Sequence, residues 1–162
     1  MRKLSLATVV LFYTLIISCE KGTQVNPNDF FIAANLGSTN WIAQPSTAYL
    51  ANKDTLQISG SYADGSQNLV MKVPFQGRGN YTLDSSQASF ATYNIEGGVS
   101  VPTAQYKLDT TQINTVSLDQ SNVYVETGSF QLHFIKVSGS STAANTLTFA
   151  NGKFWVALPN IN

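Results

Sequence analysis

The chain has one cysteine, Cys19, and one histidine, His133, in 162 residues. A disulfide needs a second cysteine, and a cysteine-based zinc site needs several, so both are excluded as supports for the fold. Charge is also scarce, at 11% of residues. The basic side chains Lys53, Lys72, Arg78, Lys107, Lys136 and Lys153 stand singly rather than in a patch. A nucleic-acid binder needs such a patch, so no nucleic acid is expected as a partner. Helical periodicity is missing beyond the N-terminal stretch. Glu and Lys are few while Ser, Thr, Asn and Gln abound, which suits strands joined by polar turns.

What is present begins with Met1 to Cys19. Arg2 and Lys3 precede an apolar run from Leu4 to Ile17, and Ile16-Ile17-Ser18-Cys19 closes it. The run is shorter than the roughly 20 residues a spanning helix needs. The layout resembles a bacterial lipoprotein signal peptide. Its lipobox takes an aliphatic residue, a small or branched one, then Gly, Ala or Ser, then Cys, and all four positions fit. The resemblance implies cleavage before Cys19, lipid attachment at Cys19, and residence in the cell envelope on the outer membrane, held by the lipid. Residues 1–18 are then signal peptide, 19–28 the lipidated cysteine with a polar tether containing Gly22 and Pro27, and 29–162 the folded domain. The mature chain keeps 144 residues, seven of them basic and nine acidic, for a net charge of −2. That length supports one domain with a real core.

Period-two alternation fills the rest. A hairpin is predicted from Phe30 to Ala43 around Gly37, with Trp41 as a core anchor. The strongest hairpin signal runs from Thr55 to Phe75. Leu56, Ile58, Gly60 and Tyr62 alternate on one arm, Leu69, Met71, Val73 and Phe75 on the other, with Asp64-Gly65 between them. Pro74 has no N–H to donate and places its end of the arm at a sheet edge or bulge. Gln76 to Asn80 is a glycine-rich turn. Further strands are expected at Ser89 to Asn94, at Val99 to Leu108 (irregular or edge, because of Pro102) and at Thr115 to Leu118. Asp119 to Asn122 reads as a turn. A longer strand from Val123 to Val137 is expected to be interrupted near Gly128 by a bulge or bend, with Phe130, Leu132 and Phe134 on one face. Ser138 to Asn145 reads as a flexible loop. Strands at Thr146 to Phe149 and Phe154 to Leu158 flank an Asn151-Gly152 turn. Many short strands without a helical period predict an all-β fold, a single antiparallel β-sandwich or barrel-like domain.

Several stretches together resemble a group of small lipoproteins of unknown function from Bacteroidetes. These are Phe31 to Trp41, Gly79-Asn80-Tyr81, Gly128-Ser129-Phe130 and Asn151-Gly152-Lys153-Phe154. The matched positions are turn and core residues, so the resemblance speaks to fold and not to an activity. Asp54-Thr55-Leu56 and Asp109-Thr110-Thr111 are similar to the O-glycosylation acceptor used on exported proteins of that phylum.

Catalytic chemistry is not signalled. His133 lies on the strand face opposite Phe130, Leu132 and Phe134, no Gly-x-Ser-x-Gly elbow accompanies it, and a metal site would have to recruit carboxylates. Most acidic residues fall in predicted turns. No catalytic residue, metal or cofactor is therefore expected. The aromatics admit a stacking surface. Because Phe154 and Trp155 are consecutive in one strand, one of them must point away from the other's face; if Phe154 fills the core, Trp155 lies on the outer face or under another element, and it is the candidate ligand contact. The expected function is a non-enzymatic binding or envelope-associated module with a glycan or another envelope protein as partner. A structural accessory subunit is the alternative, and a carboxylate-based hydrolase comes last.

Overall fold

Most of these strands have one apolar face, and the domain hides it by rolling a single sheet closed. The computed structural model describes residues 30–50, 54–121 and 124–159. Among them are ten strands: β1 (Phe31–Leu36), β2 (Thr39–Tyr49), β3 (Thr55–Tyr62), β4 (Gln67–Pro74), β5 (Gly79–Thr82), β6 (Ala88–Glu96), β7 (Val99–Leu108), β8 (Thr115–Ser121), β9 (Val125–Gly139) and β10 (Thr146–Ala157). They pair in the order β10-β1-β2-β3-β4-β6-β7-β9-β8-β5, and β10 also pairs with β9. Eight strands thus form a closed antiparallel ring, with β8 and β5 extending from β9. This is the expected all-β, barrel-like domain.

The interior is packed with side chains. Leu56 and Ile58 of β3 and Leu69, Met71 and Val73 of β4 are fully buried, as the alternation predicts. Across them lies an aromatic hub drawn from five strands. The Phe149 ring sits 5.2 Å from Trp41, 5.0 Å from Phe90 and 5.8 Å from Phe134, edge-on to all three. Tyr106 joins at 5.8 Å from Phe90. Edge-to-face rings at such spacings add to the gain from burial. Gly60 makes room for the hub: a Cβ there would come within 3.1 Å of the Trp41 ring and 3.0 Å of Ile32. In β1 the core-facing pair is Ile32 and Ala34, which leaves Phe31 on the outer wall.

Topology gives the ring two distinct ends. The chain enters β1 at Phe31 and leaves β10 near Ala157 at one end, since those residues lie close in the antiparallel register. The β6–β7 hairpin turns at Gly97-Gly98, at the other end. Both glycines have positive φ, 58° and 82°, as a tight two-residue hairpin loop demands. Beyond Thr92, β6 leaves its ladder with β4, and before Ala104, β7 has no ladder with β9. The hairpin therefore projects past the ring, and Pro102, which pairs with Tyr93 of β6, lies in the part of β7 that has no ladder with β9, the edge position that suits a residue without an N–H. Pro74 likewise lies beyond the last β4–β6 pair, Met71 with Ala88.

β7 and β8 share one edge of β9, because β10 occupies the other along its length. They are two halves of one long strand broken at Asp109 to Asn114, and Asn114 repairs the break. Its side chain, 1% exposed, accepts the His133 N–H at 2.7 Å and donates to the carbonyls of Asp109 and Gln112. The His133 carbonyl accepts from the Asp109 N–H at 2.8 Å, and the Asn114 carbonyl accepts from Leu83. An amide side chain here does the work of a missing ladder residue, which buried backbone groups require.

Four local expectations need correction. Asn151-Gly152 is no turn: β10 runs unbroken from Thr146 to Ala157 and absorbs one extra residue there. Both neighbouring ladders shift register at that point, and Asn151 takes the left-handed conformation, φ 54°. Asn-Gly supplies positive φ to a bulge as readily as to a hairpin. A bulge does fall at Gly128, where the β8 register shifts between its partner Leu118 and Gln120, but Gly128 does not interrupt β9. It is a close approach, where a Cβ would stand 2.0 Å from the Ser117 carbonyl oxygen and 2.4 Å from the Phe154 ring. The extra residue of that bulge is Asp119, inside β8 and not in a turn. The stretch read as the flexible loop Ser138 to Asn145 starts inside β9. Its remainder is pinned over the ring: the Lys136 ammonium donates to the carbonyls of Ser140 and Ala143, and the Tyr106 hydroxyl donates to Ala144.

Two substitutions test this reading by urea denaturation. Asn114→Ala is expected to cost about 1–3 kcal/mol, because it strands the buried His133 N–H. Gly128→Ala is expected to cost about 1–3 kcal/mol through overpacking against Phe154 and the Ser117 carbonyl.

Candidate functional site

On the outer wall, β5, β8, β9 and β10 lie side by side and present their non-core residues. Val116, Leu118, Phe130, Leu132 and Phe154 point inward, so the alternate positions Thr115, Ser117, Ser129, Gln131 and Lys153 point out. With Asn80 of β5 and the bulge residues Asn151 and Gly152, they line a shallow groove of about 390 Å³. The bulge shapes this wall, since the extra residue sets Asn151 outward beside Lys153. The groove offers side-chain amides, hydroxyls and one ammonium, and no side-chain carboxylate lines it. Its chemistry is hydrogen bonding to a neutral or weakly anionic polar ligand.

His133 sits beside this wall, half-buried on the outer face as its strand position predicts. One ring nitrogen, Nδ1, lies 3.2 Å from the Thr148 hydroxyl, and Nε2 lies 3.3 Å from the Gln131 amide. Among the described residues no carboxylate hydrogen-bonds to it. The nearby Asp109 carboxylate turns instead to its own loop, accepting the Thr111 hydroxyl at 2.7 Å and the Thr111 N–H at 3.0 Å. Those bonds hold its pKa below the ordinary 3.8. Asp84 with Ser86, and Asp64 with Ser66, repeat the arrangement with the same downward shift. Each is a polar turn closed by a carboxylate, as Asp in turn sequences implies. Glu126 departs from that pattern. It is fully buried on β9, in phase with Gly128 and Phe130, and so faces the ring interior. Its place two residues before Gly128 was the one signal of that in the sequence.

Trp155 is half-buried on the outer wall, as expected from its alternation with Phe154, but it stands apart from the groove. It pairs in register with Phe31 of β1 and Thr127 of β9, and the Phe30 ring meets it edge-on at 6.0 Å. A separate recess of about 120 Å³ opens alongside, lined by Phe30, Pro45, Ser46, Thr47, Val156 and Ala157. Trp41, in contrast, is a core residue, 2% exposed. Of the two glycosylation-like acceptors, Thr110 is exposed in the β7–β8 loop, whereas Thr55 is half-buried at the start of β3. Cys19 and its lipobox lie outside the described residues.

The polar groove was not visible in the sequence, because its members are ordinary polar residues on four strands. With the ring and its outer wall described, residues 28–157 match a family model, Domain of unknown function (DUF6252). The chain belongs to that family. No curated protein and no solved structure matches it. The DUF6252 match runs from just before Phe30 to Ala157, the last residue of β10, so the family unit and the closed ring coincide.

Removing the Thr111 hydroxyl tests the Asp109 turn. In Thr111→Val the Asp109 pKa is expected to rise toward 3.8, read by carboxyl NMR titration. The sign follows from linkage. A depressed folded pKa stabilises above the ordinary value and loses that contribution as pH falls through the folded value. The variant should therefore show less acid sensitivity in this turn than the parent.

Proposed function

We propose that this DUF6252 protein is a lipid-anchored cell-envelope module, non-enzymatic, whose outer groove binds a saccharide. The observation that carries the reading is the lining of the groove. Amides from Asn80, Gln131 and Asn151, hydroxyls from Thr115, Ser117 and Ser129, and the Lys153 ammonium converge on one wall. Sugars present hydroxyls that both donate and accept, and side-chain amides and hydroxyls also do both. A single cation suits a glycan carrying an occasional acidic group. The interior supports the same choice: the hub of Trp41, Phe90, Phe134 and Phe149 fills the middle of the ring and directs binding to the outside. The lipid anchor at Cys19 supplies the address, on the outer membrane.

An accessory role in a protein complex is favoured by one different observation. The projecting β6–β7 hairpin exposes Val99 by 62%, Val101 by 54% and Ile95 by 40%. Exposed apolar side chains on a strand pair with free edges fit a protein surface.

Isotope-labelled protein titrated with oligosaccharides released from bacterial envelopes separates the two. Saccharide binding is expected to move the backbone signals of Ser117, Gln131 and Lys153, and Asn80→Ala combined with Gln131→Ala should weaken it about tenfold, the loss of one to two net hydrogen bonds. Signals that stay still at Gln131 while those of Val99 and Val101 shift with an envelope protein would favour the accessory role instead.

A further inference from the structure

A lipid at Cys19 constrains which part of the ring meets the bilayer. Ten residues, 20–29, separate Cys19 from Phe30. Whatever their conformation, they reach at most about 35 Å when fully stretched. Along the ring, β9 alone spans 15 residues, or about 50 Å of strand. The end at which the chain enters is therefore held at the membrane surface, and the β6–β7 hairpin lies at the far end. At the held end the outer wall is aromatic. Phe31 and Trp155 are register neighbours on β1 and β10, both half-buried and both outside the core. Phe30 packs edge-on against Trp155. Rings with an apolar body, together with an indole N–H, concentrate where hydrocarbon meets headgroups.

We infer that Phe30, Phe31 and Trp155 form a membrane-contact patch that seats the entry end of the ring in the headgroup region of the bilayer carrying the Cys19 lipid. The inference rests on the lipoprotein reading above. Three rings are a weak anchor in free solution. The tether changes that, because so short a connection makes contact between the patch and the surface an intramolecular event. The patch thus orients a protein that the lipid already retains. Seated this way, the ring turns the β6–β7 hairpin away from the membrane and leaves the polar groove on its side wall open to solvent.

The test uses the full chain, purified from bacteria and reconstituted in phosphatidylethanolamine–phosphatidylglycerol vesicles doped with a phosphatidylcholine brominated near the top of its acyl chains. The wild type is expected to lose part of its tryptophan emission to bromine. Trp155→Phe, which leaves Trp41 in the core as the remaining reporter, is expected to lose none. Phe30→Ser with Phe31→Ser should abolish most of the wild-type quenching, and an unshifted Trp41 emission maximum, measured in the Trp155→Phe background, shows that the ring still folds. Val99→Trp in that same background should stay unquenched. Mass spectrometry of the same sample reads acylation at Cys19. An acylated protein whose Trp155 is unquenched, or whose Val99→Trp is quenched instead, overturns the patch and leaves the anchor standing. A chain without the acyl mass overturns the anchor, and the patch with it.

Discussion

The ladder between β9 and β10 is the interaction on which the rest of this structure depends. An antiparallel meander need not close, and an open sheet of this size would expose two edges and one wholly apolar face. Here β10 pairs with β1 on one side and β9 on the other, so the last strand joins the first to the far wall. The same two strands carry Phe134 and Phe149 into the hub, and the ring closes around what it encloses. Closure and core are one event: the aromatic residues meet only when the strands have come full circle. Contacts so distant in sequence are entropically costly to form, and they are rewarded only together.

Strict closure leaves little room for irregularity, and the irregularities that exist are placed where they shape the surface. The extra residue at Asn151 bends β10 and turns an amide outward. Asp119 is the extra residue of β8, with an exposed carboxylate. Asn114 mends the gap between β7 and β8, accepting the His133 N–H on the side of β9 where neither of those strands lies. Gly128 and Gly152 let Phe154 and Phe130 lie against the wall, since a Cβ at either would fall within 2.5 Å of a ring. The polar groove is a product of these adjustments, formed over four strands whose core faces are apolar.

Orientation links the fold to the proposed envelope role. One end of the ring receives the tether and an aromatic wall, the opposite end carries an apolar hairpin, and the groove lies on the side between β5 and β10. A module held to a membrane by one end and open along its flank and far tip has separate surfaces for anchoring and for capture. Among the described residues the hub of Trp41, Phe90, Phe134 and Phe149 fills the middle of the ring, and for that reason the proposed binding is assigned to the outer wall.

Local chemistry was legible in the sequence. Alternation in Leu56 to Val73 located β3, β4 and their turn, the alternation of Phe154 with Trp155 set one ring inside and one outside, and the position of His133 opposite Phe134 put it on the outer wall. Each follows from the period of two, which any extended strand must obey. What a dipeptide means in context was not legible. Asn-Gly permits a hairpin turn or a bulge, and only the presence of strands on both sides of β10 decided for the bulge. Gly128 read as a break because glycine weakens strands, yet it is required where a ring presses on the backbone. Glu126 was legible only as a residue of the strand from Val123 to Val137, and its burial in the interior was not. The closing pair β9–β10, the substitute bonds of Asn114 and the convergence of Asn80, Ser117, Gln131 and Lys153 are long-range facts. They depend on which strands become neighbours, and neighbourhood is settled by global burial, to which no single stretch of sequence has access.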